Sequence, residues 1–339
     1  MMEIREALRK ILRHEDLSRR ETEELFGRLM EGEVEEVHKA ALLVGLAMKG
    51  ESAGEIAGAA SAMRERVVPI PHSRERATDT CGTGGDRKGT FNISTAAALV
   101  AAAAGAPIAK HGNRSVSSRS GSADVLEALG VGLEATPEEA GRSLDEVGIA
   151  FLFAPRLHPA MKEVMGVRRR LGVRTVFNLL GPLTNPAGAR RQLLGVYARD
   201  RVEDLARVLL ELGSEHALVV HGADGLDEIT TTGPTHVAEV REGAVRTFVM
   251  DPETYGIEPV GVEALEGGTP EENAETMERL LAGEGNEALE DIVCLNAAAA
   301  LYVAGEVESI SRGLESAREI LVQGAGIRKL EELKGESPG

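Results

Sequence analysis

A chain of 339 residues with 42% apolar content and no low-complexity tract reads as a globular protein of one large domain or two smaller ones. Its formal charge of -17 argues against a general nucleic-acid binder, which needs broad basic faces for phosphate contacts, so any anion site has to be local. Cys81 and Cys294 are the only cysteines, too few for a disulfide framework or a cysteine-rich metal site, and they fit small apolar roles in a reduced, cytoplasmic setting.

The opening stretch, MMEIREALRKILRHED, alternates charged and apolar residues at helical spacing and lacks a signal-peptide core. Residues 1–70 are expected to form a helical domain. Ser18 with Glu21, and Ser52 with Glu55, fit the capping box that satisfies free amides at a helix start, and VEEVHKAALLVGLAMKG between them keeps a helical period up to Gly50. Two prolines in VVPIPHSR mark a linker.

Residues 71–339 are expected to form an α/β domain. ATDTCG, APIAK, GIAFLF, RQLLGVY and HALVVHG read as strands, separated by helical segments such as SADVLEALG and RVEDLARVLLELG. Such alternation predicts a mostly parallel central sheet covered by helices. TAAALVAAAAGAPIA is a buried helix running into a strand, too short to span a bilayer. TPEEAGRSLDEVG is a capped helix with proline at its first position, THVAEVREGAVRTF a hairpin, and the C-terminal stretch returns to helices. No internal repeat is visible.

Four segments carry chemistry. In DTCGTGGDRKGTFNISTAAALV a strand ends at Cys81, three glycines follow, and a helix begins near Asn92 to Thr95. Glycines let backbone amides approach a ligand and a helix start adds free amides, a combination that favours phosphate or pyrophosphate. It matches neither G-x-G-x-x-G nor the Walker pattern, and alone it reads equally well as a glycine turn with Ser94 or Thr95 as helix cap. KHGNRSVSSRSGSAD repeats the arrangement one strand later, with Lys110 at the carboxyl end of APIAK. Both loops should therefore face one crevice beyond the strand ends.

Asp227 and Glu228 follow the strand HALVVHG. Adjacent carboxylates there suit magnesium, which uses few carboxylates and leaves room for substrate phosphate, although alone they read as a solvated acidic turn. In HPAMKEVMGVRRRLGVRTVFNLLGPLTNP, Arg168, Arg169 and Arg170 sit on a predicted helix, so one or two at most face any site. An arginine fork would suit a planar carboxylate.

GTGGD, NIST, KHGNR with its serine-rich tail, SADVLEALG, the VRR..LG.RT.FN.LGPLTNP segment and DGLDE, in this order, resemble the anthranilate phosphoribosyltransferase family. The resemblance implies that the anthranilate amine attacks the anomeric carbon of phosphoribosyl pyrophosphate (PRPP), with pyrophosphate leaving. It implies that Gly82, Gly85, Asp86, Thr90, Asn92, Ile93, Ser94, Thr95, Lys110, His111, Gly112, Asn113, Arg114, Ser115, Val116, Ser117, Ser118 and Ser122 surround PRPP. Gly82, Asn113 and Arg168 would contact anthranilate, and Ser94, Asp227 and Glu228 would hold Mg2+. Lys110, His111 and Arg168 are the residues expected to carry catalysis, without a covalent enzyme intermediate.

The family also implies a small N-terminal all-helical domain beside a large α/β domain, with residues 158–188 packing near the helices, and a homodimer with no nucleic-acid or membrane partner. Relatives commonly carry glutamate where this chain has Arg170. The competing enzyme of the same fold is a pyrimidine nucleoside phosphorylase, with phosphate as nucleophile; a non-catalytic nucleic-acid-binding relative is the other alternative, against which the charge and the intact Asn113 and Arg168 speak.

Overall fold

The computed structural model describes residues 2–86, 88–115 and 119–336. It opens with helices α1 (Ile4–Leu12), α2 (Arg19–Met30), α3 (Glu36–Lys49) and α4 (Ala53–Arg64). Both capping boxes form: Ser18 accepts from the Glu21 amide while the Glu21 side chain accepts from Ser18, and Ser52 and Glu55 do the same. Each such cap stabilises its helix by about 1 kcal/mol.

Seven strands follow: β1 (Thr78–Gly82), β2 (Ile108–Gly112), β3 (Ile149–Phe153), β4 (Arg191–Gly195), β5 (His216–Gly222), β6 (Thr235–Arg241) and β7 (Ala244–Met250). They make one sheet in the order β3-β2-β1-β4-β5-β6-β7, parallel from β3 to β5 and antiparallel beyond. The five strands read from the alternating pattern are the parallel ones, and the hairpin is β6–β7.

The helices of this part are α5 (Ile93–Ala103), α6 (Ser122–Ala128), α7 (Pro137–Glu146), α8 (Ala154–Leu157), α9 (Lys162–Leu171), α10 (Phe177–Leu180), α11 (Arg201–Glu211), α12 (Pro270–Leu281), α13 (Glu287–Ala304), α14 (Ile310–Val322) and α15 (Ala325–Glu336). The FNLLGPLTNP connector is more regular than its prolines suggest. It forms α10 and a 3₁₀ turn at Gly181–Leu183, where Pro182 occupies an early position that needs no amide donor.

Three apolar clusters fill the interior. On one sheet face, α5 and α13 pack with the C-terminal helices in an alanine-rich core whose small side chains let helix backbones approach closely. On the other, the N-terminal helices share one cluster with Val164, Val167, Phe177 and Leu180 of α9 and α10, with α11, and with inward residues of β4, β5 and β6. A smaller cluster places Leu144 and Leu157 against Ala109 and Ala150.

Sequence order reverses between β1 and β4. β1, β2 and β3 step outward in one direction, and the chain then crosses to β4 on the other side of β1. A crevice opens beyond the strand ends at such a switch point.

Candidate active site

The two strands at the switch point end in glycine, with Gly82 paired to Gly195. A side chain at Gly82 would meet the Asp227 carboxylate, and one at Gly195 would run into the Asp227 carbonyl oxygen. The loop after β5 therefore lies directly over the β1–β4 junction. Asp227 Oδ2 accepts from the Gly84 amide at 2.8 Å, and Glu228 Oε1 accepts from the Ser94 amide at 3.2 Å. The three segments quoted for Gly82 to Gly85, for the helix start and for the acidic pair thus converge within hydrogen-bond distance.

Ser94 lies in the first turn of α5. Asn92 is its N-cap but makes no side-chain cap; neither Ser94 nor Thr95 caps it. The Asn92 carboxamide instead accepts from Ser120 Oγ at 3.1 Å and from Asn273 Nδ2 at 2.9 Å. The alternative reading, with Ser94 or Thr95 as helix cap, does not form: the Ser94 amide is held by a carboxylate from a distant loop, which also complements the positive helix end. Ile93 and Thr95 are buried, and Thr90 bridges to Glu266. Gly85 has a φ of 82°, which glycine adopts without strain, and its carbonyl accepts from Arg174.

Strand alternation assigns opposite directions to the end of β2. Lys110 follows Ile108 onto the α5 face, where its ammonium donates to the Thr80 carbonyl at 2.6 Å and approaches Ser94 Oγ at 3.4 Å. Burial lowers its pKa, while Asp79 and Glu228 pull the other way. His111 follows Ala109 onto the opposite face. Its amide donates to Asp79 Oδ1 at 3.1 Å, and its Nε2 lies 3.1 Å from His158 Nε2.

Asp79 is fully buried beneath these residues, held by the His111 amide, Asn185 and Gln192, and its pKa is raised by burial. Burial and the neighbouring His158 depress the His111 pKa to about 3; burial lowers that of His158 to about 4. Both rings are neutral at pH 7. One hydrogen is shared between the two Nε2 atoms, and the tautomers of the rings decide which of them donates it. His158 Nδ1 is buried without a partner among the described residues.

The acidic pair is half-buried and crowded by like charge. Desolvation and then Asp86 push Asp227 up to about 6; desolvation and Asp227 push Glu228 up to about 8 against the pull of Lys110. Among the described residues no group of three or more His, Cys, Asp or Glu could hold a metal by itself. Two half-buried carboxylates with raised pKa values, beside a serine hydroxyl, do fit a cation that brings its remaining ligands with a phosphate.

Gly112 ends β2, and the following loop is partly committed to its own structure. The Arg114 guanidinium pairs with Asp124 at 3.1 Å and with Glu127 at 2.7 Å, and the Ser115 amide donates to Asp124. Ser122 Oγ donates to the Asn113 backbone carbonyl at 3.3 Å, and the exposed Asn113 side chain bonds, among the described residues, only the next amide. Val116, Ser117 and Ser118 lie outside the described residues.

Arg168 is half-buried on α9, with its guanidinium 5.3 Å from the Phe177 ring centre and Nη1 3.6 Å from Met165 Sδ. Burial lowers its pKa, and it has no ion pair among the described residues. Arg170 is exposed and paired with Glu36 of α3. Sequence reading did not single out Arg174, whose guanidinium lies 3.9 Å from the Tyr197 ring centre while donating to Gly85, nor the buried His158 and Asp79. A charged residue inside the strand TDTCG was the available signal for Asp79.

Residues 74–327 match the family model for the glycosyl transferase family a/b domain, and residues 5–67 the model for its helical bundle domain. A protein from Symbiobacterium thermophilum named anthranilate phosphoribosyltransferase is 52% identical over 96% of each chain. The anthranilate phosphoribosyltransferase structure from Thermus thermophilus superposes with a TM-score of 0.92 at 49% identity, covering 97% of this chain and 98% of that one. The Saccharomyces cerevisiae enzyme, solved in complex with PRPP and Mg, has a TM-score of 0.88 at 26% identity over 98% and 97% of the two chains. With both domain models matched in order and half the residues shared across nearly the full length, this chain belongs to the anthranilate phosphoribosyltransferase family.

Proposed function

We propose that this protein transfers the phosphoribosyl group of PRPP to the amine of anthranilate, a step from chorismate to L-tryptophan. The nitrogen forms a bond to the anomeric carbon, the carbon–oxygen bond to pyrophosphate breaks with its electron pair on the leaving group, and the amine's proton passes to solvent or pyrophosphate. The observation that carries this reading is the meeting of Asp227, Gly84, Glu228 and Ser94 over the switch point, an anion cradle with an acidic lid.

In this reading Asp227 and Glu228, with the Ser94 hydroxyl, hold Mg2+, which supplies charge neutralisation of the departing pyrophosphate. Lys110 adds a buried positive charge beside Ser94, and the amides of the loop from Gly82 to Thr90 and of the α5 start orient the phosphates. Negative charge grows there as the bond breaks, so these groups act more strongly on the transition state than on bound substrate.

Arg168, a half-buried cation without an ion pair among the described residues, is assigned to the anthranilate carboxylate, with Asn113 and Gly82 alongside. The S. cerevisiae enzyme was also solved with 4-fluoroanthranilate. His111 positions rather than deprotonates, since its Nε2 is engaged by His158 and an aromatic amine is already neutral at pH 7. Catalysis then rests on orientation and leaving-group electrostatics.

We take residues 1–70 as the helical domain and 71–339 as the α/β domain, a homodimer through the helices, and a cytoplasmic setting as parts of the same proposal. No helix of the described residues is long and apolar enough to cross a membrane. Mixing the protein with Mg2+, PRPP and anthranilate should extinguish anthranilate fluorescence and release pyrophosphate. Unchanged fluorescence with phosphate-dependent cleavage of thymidine would favour the nucleoside phosphorylase instead.

A further inference from the structure

The acidic pair sits in a loop fixed from two sides, and neither fixing group is on the ligand side. Leu226 and Ile229 flank the pair and are buried at 0% and 1% exposure, so their side chains plug into the core while Asp227 and Glu228 stay half-exposed between them. Ile229 is gripped by a single carboxamide. Asn296 Oδ1 accepts from the Ile229 amide at 3.0 Å, and Asn296 Nδ2 donates to the Ile229 carbonyl at 2.8 Å. Its second amide hydrogen goes to the Ile292 carbonyl at 2.9 Å, which leaves no donor unused.

Asn296 is itself fully buried, at 0% exposure, in the middle of α13 among alanines. A carboxamide in such a place costs stability unless every bond is made, and its bonds to Ile229 both end on the residue after Glu228. It reads the backbone as a neighbouring strand would, fixing the peptide planes on either side of Ile229. The other end of the loop is stapled by Asp224. Its carboxylate accepts from the Leu226 amide at 3.0 Å and from the hydroxyls of Thr230 and Thr232, each at 2.6 Å.

We propose that Asn296, seconded by Asp224, is a positioning residue for the metal-binding carboxylates, so that the core helix α13 sets the separation and aim of Asp227 and Glu228. The proposal rests on the magnesium reading above. Partners behind metal ligands typically change affinity by roughly 10–100-fold when removed, because ligands that must be reoriented bind less well than ligands already aimed.

The test is the binding of Mn2+, a paramagnetic stand-in for Mg2+, to the full chain in the presence of PRPP and without anthranilate, read as loss of the free-ion resonance beyond that caused by the same PRPP without protein. Asn296→Ala and Asp224→Asn should each weaken Mn2+ binding by roughly tenfold or more, while anthranilate KM at saturating metal stays within about twofold. Asp227→Asn is the reference for direct loss of a ligand. If it abolishes binding while folded Asn296→Ala and Asp224→Asn bind as wild type does, the positioning role is overturned and the metal reading stands. If Asp227→Asn also leaves binding unchanged, the metal reading itself fails and takes the positioning role with it. Should Asn296→Ala not fold, Asp224→Asn decides alone, since it removes no buried carboxamide.

Discussion

His111 and His158 face each other through their Nε2 atoms at 3.1 Å, and only one hydrogen lies between them. Folded-state values of about 3 and about 4 lie below the ordinary 6.5, so between roughly pH 6.5 and pH 4 the unfolded chain takes up protons that the folded chain refuses. Stability should be level in this respect above pH 6.5 and fall on acidification, by up to about 1.4 kcal/mol per pH unit for each histidine. His158→Asn keeps a polar group and removes one of the two titrations. Urea unfolding near pH 7 and near pH 5 should show a smaller acid loss in the variant. An equal loss would mean that these rings are already charged or solvated.

Neutral His111 also carries a kinetic expectation. The pH profile of kcat/KM for anthranilate should show no step near the ordinary histidine value that disappears in His111→Asn. Such a step would make His111 a base.

Arg168→Ala should act on one substrate. Loss of a charge-assisted hydrogen bond of about 1.5–3 kcal/mol should raise anthranilate KM by roughly tenfold to a hundredfold. The PRPP KM should stay within about twofold, as measured by initial rates with each substrate varied in turn. Equal effects on both would undo the division of the site.

Gly195→Ala tests the junction under the acidic loop. Its new methyl group would meet the Asp227 carbonyl, so either the loop or the strand end must move, at a cost of about 1–3 kcal/mol. Thermal unfolding should show that loss, and the Mg2+ concentration for half-maximal rate should rise. A variant with unchanged metal dependence would show that the loop tolerates displacement.

Arg170→Glu should do little. The side chain is exposed and its partner Glu36 lies on α3, and exposed pairs contribute at most about 1 kcal/mol. Anthranilate KM should change by less than about twofold; a larger change would bring this position into the acceptor site.

Much of this architecture is legible in the sequence because its signals are local. Strand alternation marks β1 to β5, Ser18 and Ser52 announce their helices, and glycines mark the loop that must approach a ligand. What escapes is set by distant pairings: Glu228 holds the Ser94 amide across 134 positions, Arg174 reaches Gly85 across 89, and His158 meets His111 across 47. Nothing in the neighbours of Arg174 distinguishes it from a surface arginine. Asn296 is hidden in an alanine run, where one polar residue on a buried helix was the sole sign.

The Glu228 bond to Ser94 bears on which anions the cradle admits. The start of α5 is not a bare positive pole, because a carboxylate already rests on it, with a second beside it and Asp86 close by. With the Glu228 pKa raised to about 8, the acid is largely neutral at pH 7 until a cation arrives; in the magnesium reading a diphosphate carrying its own divalent cation brings the positive charge that lets both carboxyls ionise, which a phosphate arriving alone does not. On the magnesium reading the cradle favours a salt over a bare ion, and that preference would shield the activated sugar's site from free phosphate in the surrounding medium.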